Sequence, residues 1–394
     1  MVYMAKGGFW IMVGRAVYLP LAFILSIAFA NLLPKTEYGI YQYILSLLGI
    51  LTIPTFASMA TAITQAAARG YEGSLIPAMK AKIKWGSLGG VASLALAAYY
   101  YWQNSDTLAV GFLITAIFIP FYNAFSLYGS ILEGRKDFKT STKFSIVYQI
   151  IYTIVLGSTM LLTNNIYIIL ILNLGTANLI NIIFLRKIKK KFKVNDQVDP
   201  KTIPYGIYLS LLGIIQRIGN YIDKVILWHF LGPIDVAIYT FAKAPVEQLS
   251  NSLQSLYTLS FPKFSAQEEG LIKKSLPAKV KKLFLIIIPI IIIYYFAVPY
   301  FYKFFYPQYL DAIRASQYYC LILLTIPVGM FSNAMLAKAK KKEITLIRTV
   351  IPPIKIALLI ILISAYGIIG AIFAQLLVGM ITALLIFYLF IKLK

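Results

Sequence analysis

Long apolar runs alternate with short polar segments along the whole chain. A helix that crosses a bilayer needs about 20 mostly apolar residues, and runs of this length lie between polar, proline or glycine breaks. We therefore predict an all-α polytopic membrane protein with about twelve transmembrane helices. The predicted spans are residues 9–33, 39–63, 85–103, 108–131, 144–163, 166–185, 204–231, 235–258, 283–302, 312–337, 346–364 and 367–391.

Basic residues concentrate in every second gap between these runs. Most of the 37 lysines and arginines lie near the termini, including Lys6, or in the loops 64–84, 132–143, 186–201, 259–282 and 338–348. The intervening loops carry only Lys35, Lys303 and Arg314. Cytoplasmic loops of membrane proteins are enriched in Lys and Arg. The pattern predicts a multi-pass protein of the cell (plasma or inner) membrane with both termini in the cytoplasm.

The composition agrees with insertion in lipid. Hydrophobic residues make up 60% of the chain and charged residues 13%, against about 45–50% and 25% in soluble proteins. The net charge of +23 follows from the cationic loops and gives no reason to expect nucleic acid. The single cysteine, Cys320, and single histidine, His229, exclude disulfides and multi-His or Cys-based metal sites. We expect no metal and no cofactor.

The two halves of the chain resemble each other. Residues 33–41 match residues 231–239 at an offset of 198, and residues 81–84 match residues 278–281 at an offset of 197. The shared order and offset indicate a duplication. Two copies of six helices would keep the same membrane orientation and form two lobes around a central cavity.

The strongly basic segment near the midpoint marks the predicted boundary between the lobes. We expect an N-terminal six-helix lobe at residues 1–190, a basic cytoplasmic linker at 191–203, and a C-terminal six-helix lobe at 204–394. No predicted loop is large enough to fold as a separate catalytic domain.

Several segments carry a family resemblance. They are 29–41 (FANLLPKTEYGIY), 132–136 (LEGRK), 223–227 (DKVIL), 237–239 (AIY), 261–264 (FPKF) and 367–371 (GIIGA). Together they resemble the polysaccharide-biosynthesis (lipid-linked oligosaccharide or O-antigen type) flippases of the multidrug/oligosaccharidyl-lipid/polysaccharide exporter superfamily. The resemblance implies twelve helices, a V-shaped cavity and alternating access. It also implies a polyprenyl-diphosphate-linked oligosaccharide as cargo, for a lipopolysaccharide or exopolysaccharide, with other polysaccharide-assembly proteins as candidate partners.

Ionisable residues inside predicted spans are costly in lipid and are functional candidates for that reason. Seven stand out: Arg15, Arg217, Asp223, Lys224, Lys243, Glu247 and Lys355. We expect the five basic residues to bind the anionic headgroup, because Arg and Lys suit phosphate oxygens. The two acids would balance charge or take part in coupling to H+ or Na+.

Helical spacing supports a shared face in the seventh predicted span. Arg217, Asn220, Tyr221, Lys224 and Trp228 follow the spacing of one helical stripe. Individual residues could instead have structural roles. Arg15 could snorkel to the interface, Asp223 could anchor Arg15 or Lys355, and Lys243 and Glu247 at i,i+4 could neutralise each other.

Two rival functions have weaker support. A multidrug or cation antiporter of the same fold would favour acidic cavity groups, whereas bases outnumber acids five to two among these seven residues. A membrane-embedded polysaccharide polymerase or glycosyltransferase would need clustered catalytic residues in a sizeable outer loop. We therefore expect a transporter and not an enzyme. The 29 tyrosines indicate interfacial belts more than sugar stacking.

Overall fold

The structure, a computed structural model, describes residues 2–192, 194–258, 269–338 and 340–392. Every regular element in these ranges is helical, as predicted. The FPKF motif at 261–264 and the last two residues of the C-terminal tail lie outside them.

The chain forms two compact units, Met1–Arg217 and Ile218–Lys394. The helices up to this boundary are α1 (Val2–Leu32), α2 (Lys35–Leu51), α3 (Met59–Ala68), α4 (Leu75–Trp102), α5 (Asp106–Phe118), α6 (Tyr128–Gly134), α7 (Phe138–Leu162), α8 (Ile166–Phe192), α9 (Thr202–Leu212) and the start of α10 (Ile214–Leu231). Local capping sets two of the starts. The Asp137 side chain accepts from the Thr140 amide ahead of α7. Asn165 accepts from the Tyr167 amide in the short connection between the predicted spans 144–163 and 166–185.

The second unit continues along α10. Its other helices are α11 (Pro233–Thr258), α12 (Glu269–Phe305), α13 (Ile313–Tyr319), α14 (Ile326–Ala337) and α15 (Lys341–Lys392). The last of these reverses direction at Gly367, which has φ 58°. A side chain at Gly370 would clash with the Leu362 carbonyl, although eight residues of straight helix would separate them by about 12 Å. Gly367 therefore separates two antiparallel arms, because glycine adopts positive φ at little cost.

Seven described helices are long and apolar enough to cross a membrane, or eight if the bent pair α2–α3 forms one span. Large hydrophobic side chains on α12 agree with a lipid-facing surface, since Leu285, Ile293 and Phe296 are all more than 60% exposed. The exact number of twelve spans stays a prediction.

The segment predicted as a linker is held against the first unit. The Asn195 and Asp199 amides donate to the Glu72 carboxylate and the Ser74 hydroxyl, and Arg69 pairs with Asp199 at 2.6 Å. In addition, α9 packs against α3 and α4. The compact units divide at Arg217. The two six-helix lobes at 1–190 and 204–394, with a linker at 191–203, stay a prediction.

An ion pair of Glu72 and Arg135 lies beneath this segment. Arg135 also donates to the Phe192 carbonyl at 2.9 Å, which ties the end of α8 to the same point. The hydrogen bonds from Arg135 lower the pKa of the Glu72 carboxyl below its usual 4.5. In return, hydrogen bonding to Glu72 raises the pKa of Arg135.

Candidate substrate-binding site

Two broken helices define the most distinctive polar region of the first unit. Between α2 and α3 the chain bends by 51° through a short 3-10 turn containing Pro54. A second 3-10 turn containing Pro120 follows α5. Each break includes a non-glycine residue with positive φ, Phe56 at 52° and Asn123 at 53°. Such breaks leave carbonyl groups without helical partners.

The helix α4 packs against both breaks through a row of small residues. A side chain at Gly86 would approach Pro120 at 3.0 Å and Thr55 at 3.2 Å. A side chain at Gly89 would collide with the Leu51 carbonyl. Glycine is required here because the two helix breaks approach the α4 backbone so closely.

Two cations satisfy the acceptors that the first break releases. Lys82, one turn before Gly86 on α4, donates to the Thr55 carbonyl at 2.7 Å. Arg217 donates from Nε to the Gly49 carbonyl at 3.0 Å and from Nη2 to the Thr52 hydroxyl at 2.8 Å. Arg217 therefore lies at the negative, C-terminal end of α2, where the helix dipole favours a cation. Lys82 lies at the end of the 3-10 turn that follows α2.

These cations line a pocket of about 260 Å³ within the first unit. The lining consists of Thr55, Ala57, Ala60, Lys82, Tyr122, Asn123, Ser126, Leu127 and Arg217. No acidic residue is among these described residues. The positive charge of the pocket is thus met only by neutral carbonyl and hydroxyl oxygens, and an anion could still bind there.

Sequence reasoning missed Lys82. It lay in the predicted loop 64–84, but α4 starts at Leu75 and leaves Lys82 only 2% exposed. The signal was present: Lys82, Gly86, Gly89 and Ser93 follow the i, i+4, i+7, i+11 spacing of one helical face, and all four are buried. The neighbouring Lys80 and Lys84 are exposed.

Arg217 occupies a different place in its helix from the one we expected. We predicted a position about midway along one long span, 204–231. The structure interrupts that span at Gly213 and places Arg217 in the first turn of α10. Farther along α10, Gly219, Asp223, Ile226 and Leu227 are buried. The residues that we predicted as one helical stripe lie on a different face of α10 from these buried residues. Asn220 is exposed there, and Tyr221, Lys224 and Trp228 are half-buried.

The second unit contains an ionic cluster around Asp223. This carboxylate, 2% exposed, accepts hydrogen bonds from Tyr239 at 2.8 Å, Lys243 at 3.1 Å and Gln375 at 3.1 Å. Its other oxygen accepts from the Lys224 backbone amide at 3.0 Å. A buried carboxylate is tolerated when it is surrounded by donors in this way.

Lys243 is the centre of that cluster. Its ammonium contacts Glu247 at 3.1 Å as well as Asp223, so the predicted i,i+4 pair is present. It also lies 4.9 Å from the ring centroid of Tyr239 and 5.6 Å from that of Tyr319, distances typical of cation–π contacts. Both carboxylates and two aromatic rings therefore surround this lysine.

Lys355 joins α15 to α10. Its ammonium donates to the Gly219 carbonyl at 2.6 Å, one turn after Pro352, against which Gly219 packs. The second unit thus pairs Lys243 with both Asp223 and Glu247 and holds Lys355 on a backbone carbonyl. Asp223 also accepts from the backbone amide of Lys224.

Sequence and structure comparisons identify the relatives of this chain. Residues 4–268 match the family model described as polysaccharide biosynthesis protein. The chain belongs to the polysaccharide biosynthesis protein family. A search of curated proteins finds no match to its sequence.

Solved structures show which fold this polysaccharide biosynthesis family member has. It is similar to the lipid II flippase MurJ in an inward closed conformation, with TM-score 0.69, 17% identity, and 96% and 86% of the two chains covered. It is also similar to an inward-facing multidrug resistance MATE transporter of the MOP superfamily, with TM-score 0.65, 13% identity and coverage of 95% and 93%. The protein therefore has the fold of MOP-superfamily transporters.

A third similar structure is a MOP-superfamily transporter from Pyrococcus furiosus, with TM-score 0.58, 13% identity and coverage of 98% and 94%. It is described as having a binding pocket of reverse polarity, which suggests a different function.

The structure places the predicted site residues of this protein in three groups. Arg217 lies with Lys82 in the pocket of the first unit. Lys243, Asp223 and Glu247 form the ionic cluster of the second unit. Lys355 binds the Gly219 carbonyl in the same unit, and the backbone amide of Lys224 donates to Asp223. Arg15 is exposed on α1 and makes no hydrogen bond or ion pair within the described ranges. Its assignment to the substrate stays a prediction.

Proposed function

We propose that this protein is a flippase that moves a polyprenyl-diphosphate-linked oligosaccharide from the cytoplasmic to the outer leaflet of the cell membrane. Alternating access of two six-helix lobes would carry the headgroup, while the lipid tail stays in the bilayer. Membership of the polysaccharide biosynthesis family and the transporter fold support this proposal.

The observation that carries the proposal is the uncompensated positive pocket of Lys82 and Arg217. A diphosphate brings two or more negative charges into a low-dielectric region, where attraction to a cation is much stronger than in water. Arg offers a planar fork to phosphate oxygens and Lys a mobile point charge. The pocket volume of about 260 Å³ is below that of typical sites for drug-sized ligands. It suits the phosphates and not a whole oligosaccharide.

The cluster in the second unit has a different proposed role. Asp223 already accepts four hydrogen bonds, so we assign it to charge balance and helix packing. Glu247 is 51% exposed and pairs with Lys243 at 3.1 Å. It is the better candidate of the two for coupling to H+ or Na+, because its carboxylate is open to solvent. Lys224, Lys243 and Lys355 could assist the headgroup only by exchanging their present partners.

The main test measures flipping in proteoliposomes loaded with a polyprenyl-diphosphate-linked sugar. Arg217→Ala should lower the rate by at least about tenfold, because a hydrogen bond to a charged group contributes about 1.5–3 kcal/mol. Arg217→Lys, which keeps the charge, should retain part of the rate. Lys80→Ala changes an exposed lysine on α4 and is the matched control.

The flipping rates of the variants can be compared only if all of them insert and fold equally well. Each variant is therefore checked by size-exclusion chromatography and thermal unfolding in detergent. Undiminished flipping by a folded protein carrying both Arg217→Ala and Lys82→Met would refute the cationic-site proposal.

A drug or cation antiporter is the second candidate. The similarity to a multidrug resistance MATE transporter and the carboxylates Asp223 and Glu247 favour it. The pocket lining, which contains no acidic residue among the described residues, opposes the antiporter. A binding pocket of reversed polarity, as described for the Pyrococcus furiosus relative, would also argue against it. Transport of a lipophilic cation that survives Arg217→Ala would support the antiporter.

A further inference from the structure

A pair of tyrosines in the first unit lies in an unusual place for membrane tyrosines. Tyr148 and Tyr152 stack on each other, with ring centroids 5.7 Å apart and an interplanar angle of 11°. Both are half-buried. Tyrosine belts form where helices leave the bilayer, but these two residues lie in the middle of α7, which runs from Phe138 to Leu162. A membrane-interface role does not explain them.

Hydrogen bonds hold one ring of the pair in place. The Tyr152 hydroxyl donates to the Asn173 side-chain carbonyl at 2.8 Å, and the amide of Asn173 donates to the Tyr41 hydroxyl. Tyr148 differs, because its hydroxyl has no hydrogen-bond partner within the described ranges. The pair therefore combines a fixed ring with a neighbouring hydroxyl that can still donate and accept.

The tyrosine pair is connected to the basic pocket through Leu127. This residue lines the pocket together with Lys82 and Arg217, and it belongs to a buried hydrophobic cluster against which Tyr148 packs. The cluster thus links the half-buried Tyr148 to the cationic pocket within the same unit.

We propose that Tyr148 and Tyr152 form a binding site for the sugar that is attached directly to the diphosphate. This inference rests on the proposed function. A pyranose has an apolar C–H face that suits the negative face of an aromatic ring, and hydroxyls that suit the free Tyr148 hydroxyl. The pocket is smaller than typical sites for drug-sized ligands, so we place the sugar outside it. The buried cluster that contains Leu127 connects Tyr148 to the pocket.

The test compares two probes on the purified full-length protein in lipid nanodiscs. One is a polyprenyl diphosphate carrying a single hexose, and the other is the same lipid without sugar. Tyr148→Leu should weaken binding of the sugar-bearing probe by about two- to tenfold, the range expected for an aromatic contact. Binding of the sugar-free probe should not change. Tyr101→Leu alters a tyrosine that is 67% exposed and is the control.

Tyr148→Phe covers the case in which the leucine variant does not fold, since it keeps the ring and its packing. It should lower the ratio of the two affinities by about twofold or more through the lost hydroxyl. An unchanged ratio in the folded variants, or an equal loss for both probes, would overturn the sugar site. Results that contradict the proposed function itself would differ from these. Either the wild-type protein would bind neither probe, or Lys82→Met and Arg217→Ala would leave the affinities for both probes unchanged.

Discussion

Lys82 and Arg217 in the first unit and Lys243 in the second are cations that are buried or half-buried, but they have different partners. The first two donate to backbone carbonyls and a threonine hydroxyl. Lys243 contacts two carboxylates. A cation held by neutral dipoles keeps its attraction for an incoming anion, whereas a cation between two carboxylates has been neutralised. The partners of a membrane-embedded charge, more than its presence, therefore indicate whether it can bind substrate.

The comparison predicts that the ionic cluster mainly stabilises the second unit. Asp223→Asn keeps the shape of the side chain but leaves Lys243 with only the exposed Glu247 as anionic partner. Removing one member of a buried ion pair costs about 3–5 kcal/mol, so the free energy of unfolding should fall by about that amount in detergent denaturation. Combining it with Lys243→Met should recover most of the loss. A variant as stable as wild type would show that the cluster is not structural.

In the pocket of the first unit, we expect substitutions to affect ligand binding more than stability. Lys82→Met keeps the length of the side chain and removes its charge, so affinity for a polyprenyl diphosphate should fall by about ten- to a hundredfold. Stability should fall by no more than about 1.5–3 kcal/mol, the contribution of one hydrogen bond to a charged group, because the substitution also removes the cost of burying that charge. Ligand titration and thermal unfolding of one sample measure both quantities. A large loss of stability with unchanged affinity would make Lys82 a structural cap alone.

The Glu72–Arg135 pair sharpens the comparison, because it places a paired cation in the first unit as well, away from the pocket. Glu72→Gln should lower the free energy of unfolding at pH 7 by about 1.5–3 kcal/mol. Because the folded protein lowers the pKa of Glu72, this contribution is complete above the usual pKa of 4.5. It is lost as the pH falls through the lower, folded-state value.

Unfolding of wild type and Glu72→Gln measured from pH 8 to pH 3 checks this dependence. The two stability curves should converge at the acidic end. Curves that stay parallel would mean that the ion pair does not set the difference. Lys136→Gln, next to Arg135 in the chain, keeps the Glu72–Arg135 pair intact and is the control.

The local sequence pattern was sufficient to predict an all-helical fold. A chain in lipid must satisfy its backbone groups internally, as helices do, and the long apolar runs indicate such helices directly. It was also sufficient for the turn at Asn165 and the Lys243–Glu247 pair, which depend on neighbours close in sequence. It was not sufficient for the helix breaks at Pro54 and Pro120. Proline occurs in spanning helices both with and without a break.

The sequence by itself determined that this is an all-helical membrane protein, and the family to which it belongs. It also identified Arg217 and Asp223 as ionisable residues inside predicted spans, which are costly in lipid. Only the tertiary structure decided that Lys82 is buried with Arg217, that Asp223 is enclosed by donors from α11 and α15, and that 195–199 packs on the first unit. The reason is physical: whether a charge is paired or available depends on groups that lie far away in sequence and are brought close by helix packing.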